Sequence, residues 1–171
     1  MTLDTFNRHP DKVAVSCCAQ LINCLNSLYL AHEGQFCVTP VGHVFEMYAP
    51  HQGGNSVRAV FSAPEIHYDR DGKPASFWGL KGSASVREKK LVITAVNPDV
   101  SQPLESRIAI RGGKAKSAKV SLLASSDIHA HNTFTQRDEV APKGATAHLG
   151  EEGLQYEFPP ASVAALEIEL A

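Results

Sequence analysis

From Asp11 the chain reads DKVAVSCCAQ, and residues Val13 to Ala19 are small or β-branched, with no alternation between apolar and polar positions. That composition suits a strand covered on both faces, as in the parallel sheets of α/β proteins. Ahead of it, TLDTFNRHP reads as the tail of a helix ended by Pro10. Beyond it, Thr39 and Pro40 form an N-cap and first-turn pair, and Val41, Val44, Phe45 and Tyr48 recur at helical spacing up to Pro50. Residues 1–50 therefore spell helix end, strand, long loop and helix, which is one repeat of a β/α array. One repeat leaves its own strand faces uncovered, so the pattern reads as the last part of a larger protein.

After His51 the pattern changes. HQGGNS (51–56) is a polar, Gly-rich joint, and short alternating strands follow, separated by turn signals at roughly 8 to 12 residue spacing. Ile108 and Ile110 alternate with Arg107, Ala109 and Arg111, and Leu166, Ile168 and Leu170 alternate with Glu167 and Glu169. SASVR (83–87) and LVITAVN (91–97) flank Glu88, Lys89 and Lys90 as a hairpin with a three-residue loop, and DRDGK (69–73) is a second turn with Gly72 available for a positive φ. Residues 57–171 are enough for one two-sheet antiparallel β domain.

Composition only bounds the function. A net charge of −2 with mixed signs provides no basic stripe for nucleic acid, and no apolar run approaches the ~20 residues of a membrane span. The four cysteines, Cys17, Cys18, Cys24 and Cys37, all lie in the first quarter of the chain. Adjacent Cys17 and Cys18 point to opposite faces of a strand and suit neither a disulfide framework nor a metal knuckle, so they read as reduced core thiols in a cytoplasmic chain.

The blocks NRHPDKVAVSCCAQLINCLNSL, VTPVGHVFEMYAPHQGG, DIHAHNTF and FPPASVAALEIEL occur in this order and at natural spacing. Together they resemble the C-terminal portion of the α-L-arabinofuranosidases of glycoside hydrolase family 51. The resemblance implies a mainly β chain: an antiparallel jelly-roll β-sandwich at residues 52–171, preceded at residues 1–50 by the last β/α unit of a (β/α)8 barrel. It implies an enzyme that removes terminal α-L-arabinofuranosyl residues from arabinan and arabinoxylan with retention of configuration and without a cofactor. Two glutamates on earlier barrel strands do that chemistry in the family, and this chain begins after both, so it is expected to be inactive alone. The expected partners are the remainder of the barrel, an arabinofuranosyl-containing oligosaccharide or polysaccharide, and further copies in a homo-oligomer, with no nucleic acid or membrane.

The resemblance also assigns one substrate-binding residue. The glutamine of the family's AQL(V/I)N motif hydrogen-bonds the arabinofuranose, and Gln20 stands at that position. Its placement agrees, because barrel active sites are built at the C-terminal ends of strands and Gln20 is the first large polar side chain after seven small ones. On position alone, a glutamine that satisfies loop backbone groups is an equal reading. Asn23 and Asn26 read as loop-capping amides, while Glu33 and Glu46 read as solvent-facing and not as catalytic carboxylates.

Two other readings stay open. His129 and His131 would share one face of a strand, as in the metal-binding jelly rolls of the cupin type, with Glu139 and His148 as further ligands. The plainer alternative is that Asp127, His129, His131 and Asn132 form a hydrogen-bonded corner tying the sandwich to the barrel. A carbohydrate-binding sandwich would use Trp78, Phe77, Tyr68 and Tyr156 as stacking surfaces, although Phe77 and Trp78 point to opposite faces of a strand.

Overall fold

The structure is a computed structural model that describes residues 1–17, 20–150 and 153–171. It opens with helix α1 (Thr2–Arg8) and reaches its first paired strands at β1 (Tyr29–His32) and β2 (Gln35–Val38). These two form a hairpin closed by Glu33 and Gly34, both at positive φ, in a stretch that reads from sequence only as part of a long loop. Helix α2 (Pro40–Tyr48) begins where the sequence predicts. The Thr39 hydroxyl accepts a hydrogen bond from the Gly42 N–H at 3.1 Å, and Pro40 needs no partner in the first turn. A single 3-10 turn (Ala49–His51) then leads into the sandwich.

The strand expected at Val13–Ala19 is absent from its described part. Val13 to Cys17 have no strand pairing, and Val15 is 78% exposed; residues 18 and 19 lie outside the described residues. The reason is physical. A parallel strand needs a neighbour on each side to satisfy its N–H and C=O groups, and among the described residues this segment has none.

The rest of the chain is antiparallel β structure. In order come β3 (Asn55–Val57), β4 (Glu65–Arg70), β5 (Lys73–Trp78), β6 (Lys81–Arg87), β7 (Lys90–Asn97), β8 (Leu104–Ile108), β9 (Ala115–Ala124), β10 (Lys143–Ala145), β11 (His148–Gly150), β12 (Gly153–Phe158) and β13 (Ser162–Leu170). A six-stranded sheet in the order β10-β9-β13-β7-β6-β3 packs on a three-stranded sheet in the order β11-β12-β8, and β4 and β5 form a separate ribbon. The β6–β7 loop is Glu88 and Lys89, one residue shorter than expected, with Glu88 at φ 54°.

The central strands alternate as their sequence implies. Ala164, Leu166 and Ile168 of β13 enter the core between the sheets, with Leu154, Phe158, Val120 and Ala95. The opposite side of the same sheet is covered too: Val163 and Ala165 pack with Leu123, Val140 and the α2 residues Met47 and Tyr48. Glu167 and Glu169 carry that side on into solvent, where Glu167 pairs with Lys90. At position 82 the strands β6 and β7 approach so closely that any Cβ would overlap the Thr94 carbonyl, so only glycine fits. The helices thus lie on the outer face of the six-stranded sheet.

Candidate functional site

That outer face is polar at its centre. Ser83 and Ser85 of β6 and Thr94 of β7 project from it, and α1 lays Asp4 over them. Asp4 is 1% exposed. One carboxylate oxygen accepts hydrogen bonds from Ser83 Oγ at 2.9 Å and Thr94 Oγ1 at 2.7 Å, and the other from the Tyr48 hydroxyl at 2.7 Å. Asn7 donates to Ser83 Oγ and Arg8 to the Gly82 carbonyl, extending the contact along β6.

His51 completes the cluster, with Nε2 3.0 Å from Thr94 Oγ1 and Nδ1 2.7 Å from Ser85 Oγ. Thr94 gives its one hydroxyl proton to Asp4, so it accepts from His51 Nε2–H, and Nδ1 in turn accepts from Ser85. Aspartate, histidine and serine therefore meet here without forming a nucleophilic triad. The carboxylate bonds Thr94 and not the imidazole, and all of these groups are buried. The arrangement is a polar weld that joins the N-terminal helix to the sandwich.

Burial raises the Tyr48 phenol well above its ordinary value, and the charge of Asp4 pushes it the same way. Burial lowers His51 below its ordinary value of 6.5, with the Asp4 charge opposing the shift. The folded chain therefore holds His51 neutral where the unfolded chain takes up a proton. Its contribution to stability is whole above pH 6.5 and is lost progressively as the pH falls below that value. Urea midpoints recorded from pH 7.5 to 5 should decline, and the decline should flatten in His51→Gln. Equal slopes in the two proteins would clear His51 as the cause.

The residues singled out from sequence are scattered. Gln20 is exposed, in irregular backbone. Leu21 follows it, with a carbonyl that accepts from the N–H groups of Leu28 and Tyr29. Asn23 is a loop cap: its amide donates to the Ala31 carbonyl at 2.7 Å and its oxygen accepts from Ala31 N–H at 2.8 Å. Asn26 is exposed in the same loop. Glu33 sits at the hairpin tip with its side chain 82% exposed, and Glu46, 55% exposed, pairs with His43 on the same helix. Asp4 is the only buried carboxylate among the described residues, and sequence reasoning gave no sign of it.

The metal reading loses its premise. His129 and His131 lie in a loop and not on a strand, so no pleat holds their rings on one face. His131 Nδ1 lies 3.0 Å from the His129 carbonyl, and Asp127 accepts from the His129 N–H. Among the described residues, no three of His, Cys, Asp or Glu stand close enough to hold an ion. The corner is instead tied by Asn132, which is 3% exposed. Its amide donates to the carbonyls of Val38 and Val140, and its oxygen accepts from Val140 N–H at 2.7 Å.

The aromatic residues singled out from sequence are not stacked face to face. Tyr156 is core, edge-on to Phe158 at 4.8 Å. Tyr68 and Trp78 each meet Phe77 edge-on, at 5.7 and 6.0 Å. Among the described cysteines the reading as core thiols holds for Cys37, whereas Cys17 is exposed and Cys24 half-buried, and all three are free; Cys18 lies outside the described residues. No helix among the described residues is long and apolar enough to cross a membrane.

Comparison with known proteins agrees with this architecture. Residues 1–162 match the family described as the alpha-L-arabinofuranosidase C-terminal domain. An intracellular exo-alpha-L-arabinofuranosidase of Bacteroides ovatus is 24% identical over 170 residues, which are 99% of this chain and 33% of that protein. The intracellular exo-alpha-(1->5)-L-arabinofuranosidase 1 of Bacillus subtilis (strain 168) is 27% identical over 162 residues, 94% of this chain and 32% of that protein. The chain thus spans about a third of the length of these curated relatives. Among solved structures, the GH51 arabinofuranosidase from Xanthomonas axonopodis pv. citri superposes with a TM-score of 0.91 at 23% identity, covering 98% of this chain and 34% of that one. The alpha-L-arabinofuranosidase from Thermotoga maritima, solved as an arabinose complex, superposes with a TM-score of 0.84 at 26% identity, covering 98% of this chain and 36% of that one. With its family match over nearly the whole chain and its antiparallel sandwich, this chain belongs to the α-L-arabinofuranosidase C-terminal domain family.

Proposed function

We propose that this chain works as the C-terminal part of a retaining exo-α-L-arabinofuranosidase acting inside the cell on arabinan or arabinoxylan. Residues 1–50 supply the last β/α unit of its barrel, and residues 52–171 its jelly-roll sandwich. The observation that carries this reading is the uncovered apolar stretch around Gln20. Val15, Leu21, Ile22 and Leu25 are 78%, 55%, 44% and 98% exposed, whereas the exposed large apolar residues of the sandwich, such as Val60, Val100, Ile128 and Leu149, are scattered singly along the chain. A barrel strand and its loop lying without their neighbours would expose such residues, and a run of exposed apolar side chains supports a missing partner.

The chemistry follows from what the chain supplies and what it leaves to the rest of the barrel. Retaining hydrolysis needs two carboxylates roughly 5 to 5.5 Å apart, one attacking the anomeric carbon and the other passing a proton to the leaving oxygen and later taking one from water. The one buried carboxylate described here, Asp4, is saturated by three hydroxyls inside the weld. The catalytic pair therefore comes from earlier barrel strands. Gln20, at the mouth of the last strand, uses its amide to donate to and accept from the sugar hydroxyls, and the sandwich holds this strand against the barrel through α1 and α2.

In the enzyme completed with its barrel, Gln20→Ala should lower kcat/KM for an aryl α-L-arabinofuranoside about tenfold, the value of one neutral hydrogen bond of ~1.4 kcal/mol. The melting temperature should stay unchanged, because Gln20 is exposed. A variant with full kcat/KM would remove Gln20 from the site.

A further inference from the structure

The ribbon β4–β5 belongs to neither sheet of the sandwich, and among the described residues no strand pairs with either of its edges. An isolated two-stranded ribbon is marginal in water, and an open edge is a template for a further strand. Its two edges differ. The connecting loop is Asp71 and Gly72, at φ 55° and 73°, the two-residue turn in which the flanking pair, Arg70 and Lys73, exchanges both backbone hydrogen bonds. Alternation from that pair turns the N–H and C=O groups of Glu65, His67 and Asp69 outward on β4. On β5 the outward positions are Pro74, Ser76 and Trp78. Pro74 has no N–H, so the β5 edge is blunted, while the β4 edge keeps every donor and acceptor.

The side chains along β4 complement themselves. We propose that β4 pairs antiparallel, across a two-fold axis, with β4 of a second copy of this chain, with Tyr68 opposite Tyr68. This register sets His67 of each copy opposite Asp69 of the other, so two imidazole N–H groups reach two carboxylates. Asp69 Oδ1 already accepts from Gly72 N–H at 2.8 Å, which leaves Oδ2 for the second copy.

The same register brings Ile66, Tyr68 and Phe77 of both copies onto one side of the four strands, with Arg70 of each copy opposite Ile66 of the other. Ile66 and Phe77 are directly opposed within the ribbon, and Tyr68 is 43% exposed. The neighbouring registers are worse. Setting His67 opposite His67 brings Glu65 against Asp69 twice, and sliding the other way sets Asp69 opposite Asp69. The pairing is independent of the catalytic reading above.

Position 68 gives a specific test. A directly opposed pair without backbone hydrogen bonds has Cα atoms ~4.5 Å apart, within disulfide range. Mild oxidation of Tyr68→Cys should link chains through position 68, located by mass mapping against the unsubstituted chain, whose own thiols set the background. In sedimentation velocity the unsubstituted chain should dimerise, and His67→Asp, which opposes carboxylates twice, should weaken the dimer at least about tenfold. A monomeric unsubstituted chain would overturn the pairing. So would an absence of linkage at position 68, or a dimer indifferent to His67→Asp, since another surface would then hold the copies together.

Discussion

Asp4→Ala is expected to destabilise the chain by about 3 kcal/mol, which lowers the melting temperature by roughly 6 to 12 °C for a domain of this size. The magnitude comes from the partners left behind. Tyr48, Ser83 and Thr94 all donate to the carboxylate, and all three are buried. Thr94 accepts from His51 and Ser83 accepts from Asn7, so all three hydroxyls lose the acceptor for their proton, and the 3.1 Å contact between Ser83 and Thr94 offers one of them another. An unsatisfied buried donor costs about 1 to 3 kcal/mol, and a hydrogen bond to a charged group contributes about 1.5 to 3 kcal/mol. Relief from burying a carboxylate offsets part of the sum.

Asp4→Asn keeps the shape and one acceptor but presents an amide N–H₂ to hydroxyls that are already donating, so about half the loss should remain. The damage should also be local first. With the weld broken, α1 should lose amide-exchange protection before the β7–β13 ladder does. An Asp4→Ala protein within about 0.5 kcal/mol of the parent would show that the helix is held by its apolar contacts alone.

The features legible in the sequence were those with a local cause. Thr39 and Pro40 open α2 where their chemistry requires. The alternation of Leu166 and Ile168 with glutamates places β13 at the centre of the sheet, and Gly72 takes the positive φ of its turn. Features with distant causes stayed hidden. The three donors to Asp4 lie 44, 79 and 90 residues away, and no periodicity connects them. Ser83 and Thr94 interrupt otherwise apolar strands because their partner is a carboxylate from another element.

The strand expected at Val13–Ala19 is missing from its described part, Val13–Cys17, for the converse reason. Its composition suits a strand buried on both faces, but strand formation depends on neighbours, and among the described residues it has none. The histidine pair misled because His-x-His implies a shared face only on a strand, whereas residues 125–142 are loop tied down by Asn132. The role proposed for Gln20 has the same kind of cause, since it requires a pocket assembled from elsewhere in the barrel.

The central claim is that this chain completes an arabinofuranosidase barrel without carrying its chemistry. The effect at stake is large, because enzymes of ordinary power exceed the uncatalysed rate by about 10⁶-fold or more, and removing both carboxylates removes the step itself. The most direct measurement is release of the aryl group from an aryl α-L-arabinofuranoside, first by this chain alone and then by this chain combined with a polypeptide supplying the earlier β/α units. The account predicts no release above the uncatalysed rate from the chain alone and turnover once the barrel is complete. Hydrolysis by the chain alone would contradict it, because a catalytic pair would then have to lie within these residues.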